Sequence, residues 1–198
     1  MPTTAPAPTR RAAALPPDER RSAIVAATLP LLIAHGEMVT TRQIADAAGI
    51  AEGTIFRVFA DKDAVIAAAV ETALDNGPLD EHLRAIDPSL AFEGALVAAV
   101  EILQQRVVDI WRLASSIGPR FHDHKPSGPV VEVDALIALF EAKRAKLRVE
   151  PLLAARHLRT LTMSATHPMM VGEPMAAPEI VALFLHGVFK GSSSKGKR

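Results

Sequence analysis

The sequence has no cysteine and no tyrosine, and aromatic residues fill only 4% of its 198 positions. Without thiols there is no disulfide framework, no cysteine-based zinc site and no thiol nucleophile, a composition that fits a reducing cytosol. An excess of charge of one sign is missing too, because 22 basic residues balance 22 acidic ones. No bulk field therefore draws the chain to nucleic acid or to an anionic membrane, and any affinity for DNA has to come from local placement. Long apolar runs are absent as well. The longest unbroken one, residues 64–70, is far too short to cross a bilayer, and the Pro/Ala/Thr-rich start lacks the hydrophobic segment of a signal peptide. The expectation is a soluble, cytoplasmic protein with no membrane partner.

Catalytic signatures are missing in the same way. There is no G-x-S-x-G, no H-E-x-x-H and no dinucleotide fingerprint. Residues 191–197 satisfy the G-x-x-x-x-G-K spacing of a phosphate loop, yet Arg198 stands where a metal-binding Ser or Thr is needed and no strand precedes it. His122-Asp123-His124 has the composition of a metal cluster, but side chains at i and i+2 diverge on a helix and no third partner is evident, so a plain loop is expected. No enzyme activity, cofactor or metal is expected.

What is there is helix. Hydrophobic residues make up 49% of the chain, enough for a good-sized core, alanine and leucine abound, and glycines and prolines fall mostly between periodic segments. Breaks at Gly36, Gly49, Asp61, Asn76 to Pro78, Asp87-Pro88, Gly118-Pro119, Pro126 to Pro129, Pro151 and His167 to Pro178 predict an all-α fold of eight or nine helices. Pro30 should bend or break the helical stretch around it. Residues 1–17 read as a disordered arm carrying Arg10 and Arg11, residues 18–60 and 61–190 as two helical domains, and residues 191–198 as a disordered tail. Whether residues 88–117 form one helix or two abutting ones is open at this level.

The sharpest local pattern spans residues 40–62. Thr40-Thr41-Arg42-Gln43 is a capping box, with Thr40 accepting from the amide three residues on while Gln43 reaches back to the cap. Ile44 and Ala48 lie one turn apart, small Ala45 lets a second helix cross closely, and Gly49 supplies a left-handed stop. Ile50 should bury in the turn, and a short helix follows through Arg57 with Ile55 and Phe59 inward. This is a helix-turn-helix. Glu52, Gly53, Thr54 and Arg57 are left outward, and glycine is costly in a short helix unless something must approach closely; a phosphate backbone is a natural candidate. The same geometry also occurs in purely structural helical hairpins.

Residues 40–63, TTRQIADAAGIAEGTIFRVFADKD, resemble the TetR family of bacterial repressors almost throughout. The resemblance implies an N-terminal three-helix DNA-binding domain, a linking helix from Asp61, and a C-terminal helical domain that dimerises and binds a small molecule. It implies that Arg42 and Thr54 touch bases or phosphates and that Lys62 holds a phosphate, within a DNA-facing set of Thr40, Arg42, Gly53, Thr54, Phe56, Arg57 and Lys62. Two positions depart from the family. Phe56 stands where a tyrosine usually donates to a phosphate, and Ala51 stands where a serine or threonine often caps the recognition helix, a loss of roughly 1 kcal/mol. Arg10 and Arg11 are compatible equally with a minor-groove arm and with a solvated tail.

Farther along, a helix over residues 177–190 is apolar around nearly its whole circumference, with Ile180, Leu183, Phe184, Gly187 and Val188 on one face and Val181, Leu185 and Phe189 on another. One face should pack on the protomer and the other on a partner. Paired across a twofold with the segment 151–166, it would make a four-helix dimer contact of the kind usual in the family, placing Leu158, Leu161, Phe184, Leu185 and Val188 at the interface. Phe92, Val100, Leu103, Trp111, Phe121 and Phe140 supply large apolar side chains for a pocket. With few aromatics and no carboxylate cluster there, a mostly apolar ligand is expected over a multivalent cation. The sequence thus reads as a homodimeric repressor on double-stranded operator DNA, released by a small apolar effector. The alternative is a helical ligand-binding or sequestering protein without specific DNA binding.

Overall fold

Helix formers dominate and the interruptions fall at glycine, proline and capped aspartate, so the computed structural model, which describes residues 16–124 and 132–187, is helical throughout. Among the described residues there are ten α-helices, two 3-10 turns and no strand. They are α1 (Pro17–His35), α2 (Thr41–Ala47), α3 (Glu52–Ile55), α4 (Lys62–Leu74), α5 (Gly77–Arg84), α6 (Phe92–Ile117), α7 (Arg120–His124), α8 (Asp134–Glu141), α9 (Pro151–Thr166) and α10 (Ala177–His186). The 3-10 turns cover Gly36–Met38 and Arg144–Lys146.

Two apolar cores organise these helices. In the first, Ile24 and Leu32 of α1 meet Ile44 of α2, Ile55 of α3, Phe59, and Val65, Ile66 and Val70 of α4. In the second, Leu79 and Leu83 of α5, Leu96, Val100 and Leu103 of α6, Leu136 and Phe140 of α8, Leu158 of α9, and Ile180 and Val181 of α10 come together. Each fully buried large aliphatic contributes about 1.5–3 kcal/mol relative to exposure. Helix α6 belongs to both, since its C-terminal Leu113 and Ile117 insert into the first core. The boundary expected at residue 60 falls between α3 and α4, yet α4 packs mainly with α1 in the first core.

At the junction, Gly36 closes α1 with φ of 56°, and a Cβ there would lie 2.3 Å from the Ser116 carbonyl oxygen of α6. Only glycine lets the two backbones approach this closely. Polar groups in the interior are matched: Gln104 Nε2 on α6 donates to Thr166 Oγ1 (3.1 Å) and to the Met175 carbonyl (2.8 Å), pinning the start of the α10 segment. Among the described residues no buried side-chain nitrogen or oxygen lacks a partner.

The structure decides several of these points. Of the bend or break expected at Pro30, the break does not occur, and α1 runs from Pro17 to His35 with the exposed proline inside a helix held by α2, α4 and α6. The region 88–117, open between one helix and two, holds one, beginning at Phe92 after an Asp87 turn in which Oδ1 accepts from the Ser89 amide. His122, Asp123 and His124 lie in the short helix α7 and not in a loop. The last helix stops at His186 with Gly187 as its C-cap, short of the expected residue 190. Arg10, Arg11, Pro126 to Pro129, Val188, Phe189 and the tail 191–198 lie outside the described residues.

Candidate nucleic-acid interface and ligand cleft

The capping box forms as the sequence requires. Thr40 Oγ1 accepts from the Gln43 amide at 3.2 Å and Gln43 Oε1 accepts from the Thr40 amide at 2.9 Å, fixing the start of α2. Gly49 turns the chain with φ of 66°, and the Ile50 amide donates back to the Ala45 carbonyl at 3.0 Å. Ile50 itself is half-buried. Helix α3 then starts at Glu52 with no side-chain cap from Ala51, and 3-10-like bonds carry its coil on, Arg57 to Thr54 at 3.2 Å and Val58 to Ile55 at 2.9 Å. Ile55 and Phe59 anchor it, and the Arg21 guanidinium of α1 lies 4.4 Å from the Phe59 ring centroid.

On the outside of this turn, Arg42, Gly53 and Arg57 are exposed, and neither arginine forms an ion pair among the described residues. A Cβ on Gly53 would meet nothing within 4 Å, so the protein's own packing does not call for glycine there. Thr54 is half-buried with its amide bonded to the Ala51 carbonyl at 2.8 Å, and Phe56 is 51% exposed. Lys62 is half-buried, its Nζ donating to the Glu37 and Val39 carbonyls at 3.1 and 3.2 Å. Two of its three ammonium protons thus hold the segment between α1 and α2 against the start of α4.

Sequence reasoning missed two contacts here. Thr41 Oγ1 donates to Glu52 Oε1, fastening α2 to the first residue of α3. Arg120 of α7 reaches Glu37 at 3.6 Å and Asp63 at 3.1 Å, tying the far end of α6 to the first core. The second has no local signal, since Arg120 and Asp63 are 57 residues apart.

In the second core a cleft of about 420 Å³ opens between α5, the turn after it, the start of α6 and α8. Its walls are Leu83, Ile86, Leu90, Phe92, Ala95, Ala135, Ala138 and Leu139, with Arg84, Asp87 and Lys143 among the charged lining residues. Of the six expected pocket residues, Phe92 lines this cleft. Val100, Leu103 and Phe140 are packed into the core itself, Phe121 joins the first core, and Trp111 meets the His167 ring edge-on at 4.7 Å. Asp80 braces the cleft wall from below: its Oδ1 accepts from the Ala135 amide at 2.6 Å at the start of α8, and Arg84 pairs with Oδ2. That amide, and then the Arg84 guanidinium, hold the Asp80 carboxyl below its ordinary pKa despite some burial.

The five side chains expected at a dimer contact separate. Leu158 is fully enclosed in the protomer and has no surface for a partner. Phe184 is half-buried, its ring 5.8 Å from that of Phe140, and Leu161 is half-buried against the same core. Leu185 is 37% exposed, and Leu152, Leu153 and Met163 of α9, the helix before it, are exposed too. Val188 lies outside the described residues.

Residues 24–69 match the model of the family described as bacterial regulatory proteins, tetR family. Among solved structures, a Mesorhizobium loti protein described as a TetR-family transcriptional regulator is similar with a TM-score of 0.63 at 16% identity, over 87% of this chain and 98% of that one. The TetR-like regulator LfrR of Mycobacterium smegmatis, in complex with proflavine, gives 0.54 at 20% identity, over 86% and 98%. The regulator FadR of Bacillus subtilis, in complex with stearoyl-CoA, gives 0.54 at 13% identity, over 85% and 99%. No curated protein sequence matches the chain.

Proposed function

We propose that the chain, whose residues 24–69 match the TetR-family model and whose helical fold is that of TetR-family structures, is a homodimeric repressor released from its operator by a small, mostly apolar effector. The observation that carries the reading is the outer surface of the capped helix-turn-helix. There Arg42 and Arg57 are exposed without ion-pair partners, and Gly53 leaves open space where a Cβ would stand. A polyanionic backbone can approach such a surface closely, and local cations supply what zero net charge does not. Thr40, Thr54 and Phe56 flank this surface, and the third proton of Lys62 is the one available to a phosphate. Residues 18–60 would form the DNA-binding domain and residues 61–190 the effector and dimer domain, with α4 shared between them.

Two copies joined through α9 and α10, with Leu185 and the exposed apolar side chains of α9 between them, would set two recognition helices about one turn of DNA, roughly 34 Å, apart. The effector would enter the cleft beneath Leu90 and Phe92. Proflavine and stearoyl-CoA in the two neighbours support a small molecule with a large apolar part in this fold. Helix α6 links cleft to DNA: Phe92 and Ala95 line the cleft, Leu113 and Ile117 sit in the first core, and the helix between spans roughly 38 Å. Release requires only that the effector bind the non-operator spacing more tightly than the operator-bound one.

The test is to select fragments of genomic DNA with the purified protein, then measure the salt slope on the selected duplex for wild type and Lys62→Ala. A steep slope for wild type, and one shallower by about 1.8 for the variant, two phosphate contacts per dimer at about 0.9 each, is the expected result. Equal slopes remove Lys62 from the phosphate contacts, and failure to select any duplex favours the sequestering alternative.

A further inference from the structure

On a surface that faces a polyanion, a carboxylate is out of place unless something other than phosphate meets it. Glu52, the first residue of α3, is exposed and lies among the residues assigned above to DNA. It forms no salt bridge among the described residues. Nor is its side chain loose, because the Thr41 hydroxyl of α2 donates to Oε1 and leaves Oε2 as an acceptor. The Thr41 hydroxyl biases the carboxylate toward α2, and such positioning is what discrimination between neighbouring bases needs.

The chemistry of the major groove then narrows the partner. A carboxylate only accepts hydrogen bonds, and only cytosine N4 and adenine N6 offer donors there. Adenine places the N7 acceptor beside its amino group, where it opposes a second negative oxygen, whereas the atom next to the cytosine amino group is an apolar C5–H. Guanine presents O6 and N7, and thymine O4, all acceptors. We propose that Glu52 is a specificity-determining residue that reads one cytosine in each operator half-site, with Thr41 positioning its carboxylate. Much of the selectivity comes from rejection, since the other bases set acceptors against a desolvated carboxylate. The inference rests on the DNA-binding reading above and adds a base identity to it.

The experiment is site selection from randomised duplexes by wild type, Glu52→Gln, Glu52→Ala and Thr41→Val, each first shown to be helical by circular dichroism. Wild type should fix cytosine at one position of each half-site, and replacing that base pair should weaken binding roughly tenfold or more. Glu52→Gln should move the preference at that position to adenine, because an amide can donate to N7 while accepting from N6, and leave the rest of the motif unchanged. Glu52→Ala should accept all four bases there, and Thr41→Val should keep cytosine with weaker discrimination. An unchanged motif for Glu52→Gln overturns the proposal. So does Glu52→Ala if it tightens binding to every duplex alike, which would make the carboxylate a mere repellent of phosphate. If wild type selects no motif at all, it is the DNA-binding reading that fails.

Discussion

The two cores joined by α6 differ in what they leave uncovered. Around the first, exposed large apolar side chains are scattered singly, Ile33 on α1, Met38 in the 3-10 turn and Phe56 after α3, amid exposed arginines. Around the second there are more: Leu152, Leu153 and Met163 on α9 and Leu185 on α10, together with an apolar cleft between α5, α6 and α8. Single exposed apolar side chains need no partner, whereas several on two packed helices ask for one. The first region thus offers exposed arginines on its helix-turn-helix and the second offers apolar side chains and a cleft, the division of labour expected when one holds DNA and the other holds a second copy and an effector.

The largest effects should come from testing that division on α10. Phe184 and Leu185 are sequence neighbours, but Phe184 packs toward Phe140 while Leu185 is exposed. Phe184→Glu sets a carboxylate where a half-buried ring packs on the apolar protomer core and should lower stability by about 2–4 kcal/mol, read by urea denaturation. Leu185→Glu should leave the protomer fold and its circular dichroism intact while converting dimer to monomer in sedimentation, because a buried unpaired charge costs several kcal/mol and is counted in both copies. DNA binding by the monomer should drop sharply. Two folded dimers would show that α10 is not the interface and would leave the exposed apolar side chains of α9 and α10 unexplained.

How far these two regions were legible in the sequence follows from the reach of the contacts that define them. The cap on α2 closes between Thr40 and Gln43, and the turn stop is Gly49, so the helix-turn-helix could be read from residues within a few positions of each other. Its outward and inward sides, Arg57 against Ile55 and Phe59, follow from helical spacing. The cleft instead assembles residues from 83 to 143, and size alone could not tell Phe92, which lines it, from Phe140, which fills the core. Leu158 was misplaced for the same reason: an apolar residue on an amphipathic helix reads alike whether its neighbour is α8 of its own chain or a second copy.

Two glycines sharpen the comparison at the level of the backbone. Gly36→Ala would force a Cβ into the Ser116 carbonyl at a φ that side chains resist, and should cost about 3 kcal/mol or more, loosening the joint between α6 and the first core. Gly53→Ala meets open space in a helical turn and should instead raise stability by about 0.5–1 kcal/mol while weakening operator binding. Denaturant melts and DNA titrations on the pair separate a glycine kept for packing from one kept for a partner. Equal stability loss in both would break the distinction.

A smaller effect is expected where Asp80 braces α8. Asp80→Ala leaves the Ala135 amide without its partner and Arg84 without its counter-charge, a loss of about 1–2 kcal/mol at neutral pH. Because the folded carboxyl is held below its ordinary pKa by the Ala135 amide first and Arg84 after it, its ionised form favours the folded state above about pH 4, the unfolded value. That contribution should shrink as pH falls through the folded pKa. The stability gap between wild type and Asp80→Ala, followed by thermal melts from pH 7 to pH 3, should therefore narrow on the acid side. A constant gap would assign the whole effect to geometry.

The smallest predicted change returns to the helix-turn-helix. Phe56 is half exposed just after α3, beside Arg57, where the family resemblance places a phosphate-facing tyrosine. Phe56→Tyr adds one hydroxyl to a half-exposed residue, so packing should hardly change and the melting temperature should stay within a degree or so of wild type. If that hydroxyl reaches a phosphate, operator binding should tighten by about 0.5–1.5 kcal/mol for each half-site, the net worth of one hydrogen bond. Because the contact is to the backbone, the gain should be the same on specific and on random duplexes, unlike any change made at Glu52. Tighter binding to the operator alone would place the ring against a base edge. Unchanged or weaker binding on both would turn it away from DNA, leaving the charged surface to Arg42, Arg57 and Lys62.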